Sequence, residues 1–215
     1  MDCITRRDKM ETKDKVLEAA VSLFNAKGYQ GSSIREIAKQ ADVNPALISY
    51  YFGGKKGLLE NLLLQFYEPY LALLNKIVEE QISVSPLYCL KQIGQHILNF
   101  QQQHIQLTSF VYREMTLDSM LVREMMSTYL KKETYYIQQV FTKGIELGEC
   151  MNIPTEHAVI QFKGMLMMPF LYPRYLSEVL YLQPVEGYFV ERYSRQIEQW
   201  IDSLQLLEPL QLQAK

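Results

Sequence analysis

Residues 28–55 read GYQGSSIREIAKQADVNPALISYYFGGK. Upstream, Val16, Ala19, Ala20, Leu23 and Phe24 recur at spacings of three and four, the mark of a helix with one apolar face, here from about Lys13 to Lys27. Gly28 stands where such a helix needs a left-handed C-terminal cap, which a residue without Cβ adopts freely. Ser33 followed three residues later by Glu36 has the form of a capping box, so a second helix starts there and ends by Ala41-Asp42. Asn44 then Pro45 is a cap followed by a first-turn proline, opening a third short helix through about Tyr51. Packing requires Ile34, Ile37, Ala38, Ala41, Val43, Ile48 and Tyr51 to face inward, and the small Ala38 permits a close, near-perpendicular crossing. Asn44, Pro45, Ala46, Ser49 and Tyr50 then face outward. Asp42 occupies the turn position where glycine is often found. Three helices in this order describe a helix-turn-helix unit.

The rest of the chain repeats the three-and-four spacing and has almost no alternating Val/Ile/Thr runs, so the fold class is all-α. Helices are expected from about Lys55 to Glu80 with a bend at Pro69, from Ser85-Pro86 to Gln102, and over Ile105–Thr116. Others run from an Asp118 cap to Leu147, from Pro154-Thr155 to near Pro173, and from Pro184 to Leu207. At 215 residues, 48% hydrophobic and 21% charged, the composition is globular and the core can be large. No stretch approaches the roughly 20 apolar residues of a spanning helix, and the N-terminus lacks a signal-peptide core. Cys3, Cys89 and Cys150 are few and far apart, which suits a reducing cytoplasm and argues against a disulfide scaffold or a zinc site. Residues 1–57 carry ten Lys/Arg against seven Asp/Glu, a net +3, whereas residues 58–215 sum to −5. This division suits residues 10–57 as the unit that meets a polyanion and 58–215 as a second, helical domain, with a chance offset as the alternative.

Enzyme chemistry finds no residues to run on. His96, His104 and His157 fall on different helices without a metal-ligand spacing, and no phosphate loop or nucleophile elbow is present. Gly53-Gly54-Lys55-Lys56-Gly57 follows a helix where a nucleotide loop would follow a strand. No cofactor or metal is expected, and the chain reads as not an enzyme.

The segment Gly28–Lys55, with Leu58-Leu59 beyond it, strongly resembles the DNA-binding domain of the TetR family of transcriptional regulators, over about Lys13 to Leu63. The resemblance implies a homodimer with an N-terminal three-helix DNA-binding domain and a larger C-terminal helical domain for dimerisation and effector binding. Farther on, Phe110–Leu130, Leu166–Phe170 and Ser177–Tyr181 look like a member of that family from spore-forming bacilli that regulates division-ring assembly and chromosome positioning during sporulation.

A third helix this short presents only its first turns to the major groove, so few side chains can read bases. Asn44 suits adenine edges, Pro45 and Ala46 suit a thymine methyl, and Ser49 faces the same way. Arg35 suits guanine or phosphate, while Tyr50 and Tyr51 suit phosphate through their hydroxyls. Lys55 suits phosphate at a helix N-terminus, and Ser32 or Ser33 could serve similarly. Tyr51 reads equally well as core, and Ser33 as a cap. Arg6, Arg7 and Lys9 would form a minor-groove arm or an unstructured leader.

In the second domain, Met165, Met167, Met168, Phe170 and Leu171, followed by Phe189, Tyr193, Ile197, Trp200, Ile201 and Leu204, suit a four-helix interface between two subunits. The same residues would also complete a monomer core. Phe100, Phe110, Tyr112, Met115, Met125, Tyr129, Phe162 and Met165 are candidates for an effector pocket anchored by Arg113 or His96, with a plain core as the alternative. Arg123, Glu124, Lys131, Lys132 and Glu133 read as a solvated helix face, where a cell-division protein would dock under the sporulation likeness. The partners expected are double-stranded DNA and a second copy of the chain, with no membrane, in the cytoplasm on the nucleoid. Three outputs stand side by side. They are division control from scattered near-palindromic sites, a repressor released by a small apolar effector, and a helical interaction module with vestigial DNA binding.

Overall fold

The computed structural model describes residues 6–117 and 120–205, apart from the side chains of 6–9, 121, 125 and 126. The described residues form ten helices and no strand: α1 (Arg6–Lys27), α2 (Ile34–Gln40), α3 (Pro45–Phe52), α4 (Lys55–Gln81), α5 (Pro86–Gln103), α6 (Ile105–Met115), α7 (Met120–Glu146), α8 (Thr155–Leu171), α9 (Pro173–Glu178) and α10 (Gly187–Ser203). None is long and apolar enough to cross a membrane. An isolated bridge pairs Cys150 with Gln205.

Packing divides the chain into two compact units, Met1–Glu68 with His104–Met125, and Pro69–Gln103 with Met126–Lys215. In the first, Val16, Ala20 and Phe24 of α1, Ile37 of α2, Ile48 of α3 and Leu58, Leu62 and Phe66 of α4 are all buried, and α2 packs on both α1 and α3. Each large side chain buried this way contributes about 1.5–3 kcal/mol. α6 joins this unit because Phe110, Val111 and Tyr112 are buried in it. Phe110 stacks on Phe24 at 5.3 Å and Tyr112 sits edge-on to Phe66 at 5.8 Å. Arg113 donates to the carbonyls of Phe24 (2.8 Å) and Asn25 (3.1 Å) in the last turn of α1, the Phe24 carbonyl also accepting from Gly28 N (2.9 Å). The sequence boundary at 57/58 followed charge and motif. The packing boundary follows apolar faces and so recruits a segment far along the chain.

In the second unit α10 packs on α5, and Phe189, Ile197, Ile201 and Leu204 are buried there. Phe162 of α8 lies between Phe141, at 6.3 Å, and Trp200, at 6.2 Å. Glu133 is 5% exposed, accepting from the Tyr70 hydroxyl (2.7 Å) and the Lys163 ammonium (2.6 Å). Expecting Glu133 on a solvated face was therefore incorrect; its buried neighbours supply the partners a buried charge requires.

The helix starts and stops depart from expectation in four places, one being the last helix, which stops at Ser203 where about Leu207 was expected. α1 begins at Arg6, about two turns before Lys13. α9 was not foreseen, since Pro173 ends one helix and opens another. α10 starts at Gly187, because the carbonyls of Pro184 and Glu186 are held in a loop by Gln102 Nε2 at 3.0 and 2.8 Å. The Asp118 cap and the Arg6, Arg7 and Lys9 arm lie outside the described residues or side chains.

Candidate nucleic-acid interface

The capping box of α2 forms as the sequence reads. Glu36 N donates to Ser33 Oγ at 3.3 Å, and Ser33 N donates back to Glu36 Oε2 at 2.9 Å. Lys27 Nζ adds a 2.6 Å bond to Glu36 Oε1. The Lys27 and Ser33 hydrogen bonds together hold the Glu36 carboxyl at about 2. The turn closes through Val43 N to the Ala38 carbonyl, 3.0 Å, with Asp42 in the left-handed region at φ +53°. Asn44 Oδ1 accepts from Ala46 N at 2.9 Å and so caps α3, leaving its amide NH2 to face outward. Gly53, left-handed at φ +70°, caps α3 after Phe52, and α4 follows closely: Gly57 in its first turn lies so near the Phe52 carbonyl that a Cβ would sit 1.7 Å from it.

This geometry sorts the side chains of α3 by face. Ile48 and Phe52 are buried, while Asn44, Pro45, Ala46, Ser49 and Tyr50 line the outward side, Tyr50 with 74% of its surface exposed. Tyr51 is half-buried and meets Tyr50 edge-on at 5.1 Å. Arg35 is exposed on α2. Ser33 is exposed, though its hydroxyl also donates to Glu36 Oε2 at 2.7 Å. Ser32 is buried and donates to the Gly28 carbonyl at 2.9 Å, which takes it out of the outward set. Ile34 and Val43, expected inside, are half-buried because they sit at the margins of the α2–α3 contact.

Lys55 is half-buried, its ammonium 4.5 Å above the Tyr29 ring and 3.5 Å from the Gln30 carbonyl. Burial pulls its pKa down, opposed by the charges of Glu114 and Glu36. Glu114 is itself buried, and burial pushes its carboxyl up against the pull of Arg113 and Lys55. Lys13 was missed among the candidate site residues. It is exposed, with its ammonium 5.5 Å from the Tyr51 ring centroid. Nothing in the sequence pairs residue 13 with residue 51; only its place on the polar side of α1 hinted at a surface role.

The other candidate groups separate. Phe110 and Tyr112 belong to the core of the first unit, and Phe100, Tyr129, Phe162 and Met165 belong to the second. The side chain of Met125 lies outside those described. Of the proposed anchors, Arg113 is engaged by α1. His96 is exposed, its Nδ1 2.8 Å from the Gln92 carbonyl on its own helix. Among the interface candidates, Phe189, Ile197, Ile201 and Leu204 are corrected to core residues, because they are already buried within one chain. Met168 is exposed, and Trp200 and Tyr193 are half-buried, the Tyr193 hydroxyl donating to the Met165 carbonyl at 3.0 Å.

Known proteins share both the motif and the fold. The family model "Bacterial regulatory proteins, tetR family" matches residues 16–62. The Bacillus subtilis (strain 168) protein named "Probable HTH-type transcriptional regulator YttP" is 50% identical over 196 residues, covering 91% of this chain and 95% of that one. The biofilm operon icaADBC negative regulator IcaR of Staphylococcus aureus (strain Newman) is 40% identical over 48 residues, 22% of this chain and 26% of its own. Among solved structures, the TetR family regulator PfmR of Thermus thermophilus aligns with a TM-score of 0.72 at 18% identity, covering 90% of this chain and 99% of its own. FadR of Bacillus subtilis, solved with stearoyl-CoA, aligns at 0.67 and 20%, covering 88% and 97%. These two show the fold, and the long match to the Bacillus relative shows the lineage. The chain thus belongs to the TetR family, whose members are dimeric DNA-binding transcriptional regulators and not enzymes.

Proposed function

We propose that the protein is a sequence-specific regulator that reads near-palindromic sites as a dimer, with half-sites about one helical turn apart. The observation that carries this is the outward row on α3, small and polar from Asn44 to Ser49 and closed by Tyr50, over a base of buried Ile48 and Phe52. Asn44 Nδ2 is a donor for a purine acceptor, its oxygen being committed to the cap. Pro45 and Ala46 meet a thymine methyl, Ser49 and Arg35 contact base edges or phosphate, and Tyr50, Ser33 and Lys55 hold the backbone, with Tyr51 packed edge-on beside Tyr50. Residues 10–57 carry this interface and 58–215 carry dimerisation, with Met168, Tyr193 and Trp200 retaining surface for a twofold contact. The place of work is the cytoplasm, on the nucleoid.

For the output we favour control of cell division, as in RefZ, the division-ring and chromosome-positioning regulator of spore-forming bacilli. Its support is the likeness within Phe110–Leu130, Leu166–Phe170 and Ser177–Tyr181, together with a near full-length relative from a bacillus. On this reading a cell-division protein docks on the exposed surface of α7 that carries Arg123, Glu124, Lys131 and Lys132. A second reading, a repressor released by a small-molecule effector, draws on the same fold in FadR, which was solved with stearoyl-CoA.

The test is selection of fragmented genomic DNA by the purified protein, with a Tyr50→Ala/Tyr51→Ala variant as control. Palindromes scattered around the chromosome support division control, whereas a few palindromes at promoters support the effector-released repressor. Recovery without sequence preference, equal in protein and variant, refutes the reading of α3 and leaves the interaction module.

A further inference from the structure

The cations of the DNA-facing unit are not equivalent. Lys15 pairs with Glu11 at 2.8 Å, Lys27 with Glu36 at 2.6 Å and Lys56 with Glu60 at 3.8 Å. Lys55 is turned onto Tyr29. Lys13, like Lys55, lies over a ring, but its ring is that of Tyr51 on α3, the half-buried aromatic beside the exposed Tyr50. The rings of Tyr50 and Tyr51 are 5.1 Å apart, so Lys13, Tyr51 and Tyr50 form a continuous row from α1 onto the outward face of α3. A ring face attracts an ammonium without cancelling its charge, as a carboxylate would. The arrangement restricts a flexible side chain and leaves its positive charge available.

We infer that Lys13 is a phosphate-binding residue, held on the Tyr51 ring so that α1 and α3 grip the same nucleic-acid backbone. This inference rests on α3 being the recognition helix. It also changes the role of Tyr51, from phosphate ligand to platform. The occupant is a backbone phosphate of double-stranded DNA, since the row continues directly into the base-facing side of α3. Such a contact carries no sequence information and acts equally on specific and non-specific sites.

The experiment uses the full chain and the palindrome most enriched in the genomic selection, with a scrambled duplex of equal length. Affinity is measured as a function of salt for Lys13→Ala, Lys13→Arg, Lys15→Ala, Tyr51→Phe and Tyr50→Ala. Removing one phosphate contact from each protomer lowers the magnitude of the log–log salt slope by about 1.8 and weakens binding about 30-fold at 0.15 M salt. Lys13→Ala is expected to show this loss on both duplexes, and Lys13→Arg to keep most of the affinity. Lys15→Ala removes the same charge two residues away and is expected to change the slope far less. Tyr51→Phe preserves the ring face under Lys13 and removes no cation, so it is expected to keep the salt slope of the parent protein. A slope unchanged in Lys13→Ala, or lowered equally in Lys15→Ala, overturns the inference while a loss in Tyr50→Ala upholds the reading of α3. If Tyr50→Ala also binds unchanged, the reading of α3 falls, and the role of Lys13 falls with it. A large loss in Tyr51→Phe assigns the phosphate to the Tyr51 hydroxyl and overturns the platform.

Discussion

Replacing Tyr50 by phenylalanine separates what this residue does for folding from what it does for DNA. The side chain is 74% exposed, and its ring neighbour is Tyr51, edge-on at 5.1 Å. Removing the hydroxyl breaks no buried contact and keeps the aromatic pair. Stability should change by less than about 0.5 kcal/mol, a shift of about 1–2 °C in Tm for a chain of this size. In the proposed complex the hydroxyl would donate to a phosphate oxygen, and a hydrogen bond to a charged group is worth about 1.5–3 kcal/mol. That corresponds to about 10- to 150-fold per half-site, and a dimer engaging both half-sites loses about 100-fold or more. No cation is removed, so the salt slope should be that of the parent protein. Fluorescence anisotropy on a labelled palindrome between about 50 and 200 mM salt reads both quantities. A loss below twofold would refute the hydroxyl–phosphate contact. A slope altered by a full unit would show that the substitution moves cations, which contradicts the geometry described.

Three further outcomes are expected on the same grounds. Lys163→Met strands Glu133 in a buried site, where the Lys163 side chain is 16% exposed, and should cost about 3–5 kcal/mol in urea unfolding. Adding Glu133→Gln, which still accepts from Tyr70, should recover most of that loss; equal midpoints for the single and double variants would refute the pairing. Glu36, held at about 2 by Lys27 and Ser33, contributes stability that is fully present above the free-carboxyl value of about 4.3 and is lost as pH falls toward 2. An NMR titration of its carboxyl carbon should give that low midpoint in the parent and an upward shift in Lys27→Met, whereas an ordinary midpoint in the parent would contradict the triad. Gly57→Ala drives a Cβ to 1.7 Å from the Phe52 carbonyl, so the α3–α4 junction must open at a cost of about 1–3 kcal/mol. An unchanged thermal midpoint would show that the junction is looser than described.

Helix ends that depend on neighbours in the chain are written in the residues themselves. The Ser33–Glu36 box, the Asn44–Pro45 start and the left-handed Gly28 all involve atoms a few residues apart, so their geometry is implicit in residue types and spacing. The outward row on α3 was legible for the same reason, since a helix of eight residues with Ile48 and Phe52 inside has one remaining face. Whatever depends on remote partners had to await the packed chain. α6 joins the first unit because Phe110 and Arg113 find Phe24 and Asn25, more than eighty residues earlier. Lys13 meets Tyr51, and Glu133 is buried because Lys163 and Tyr70 converge on it. Phe189, Ile197, Ile201 and Leu204 reveal the limit most plainly. An apolar helix face is driven out of water whether it meets its own core or a partner's, and burial carries no label for which. Only the position of α5 against α10 assigns these four residues to the core of one chain.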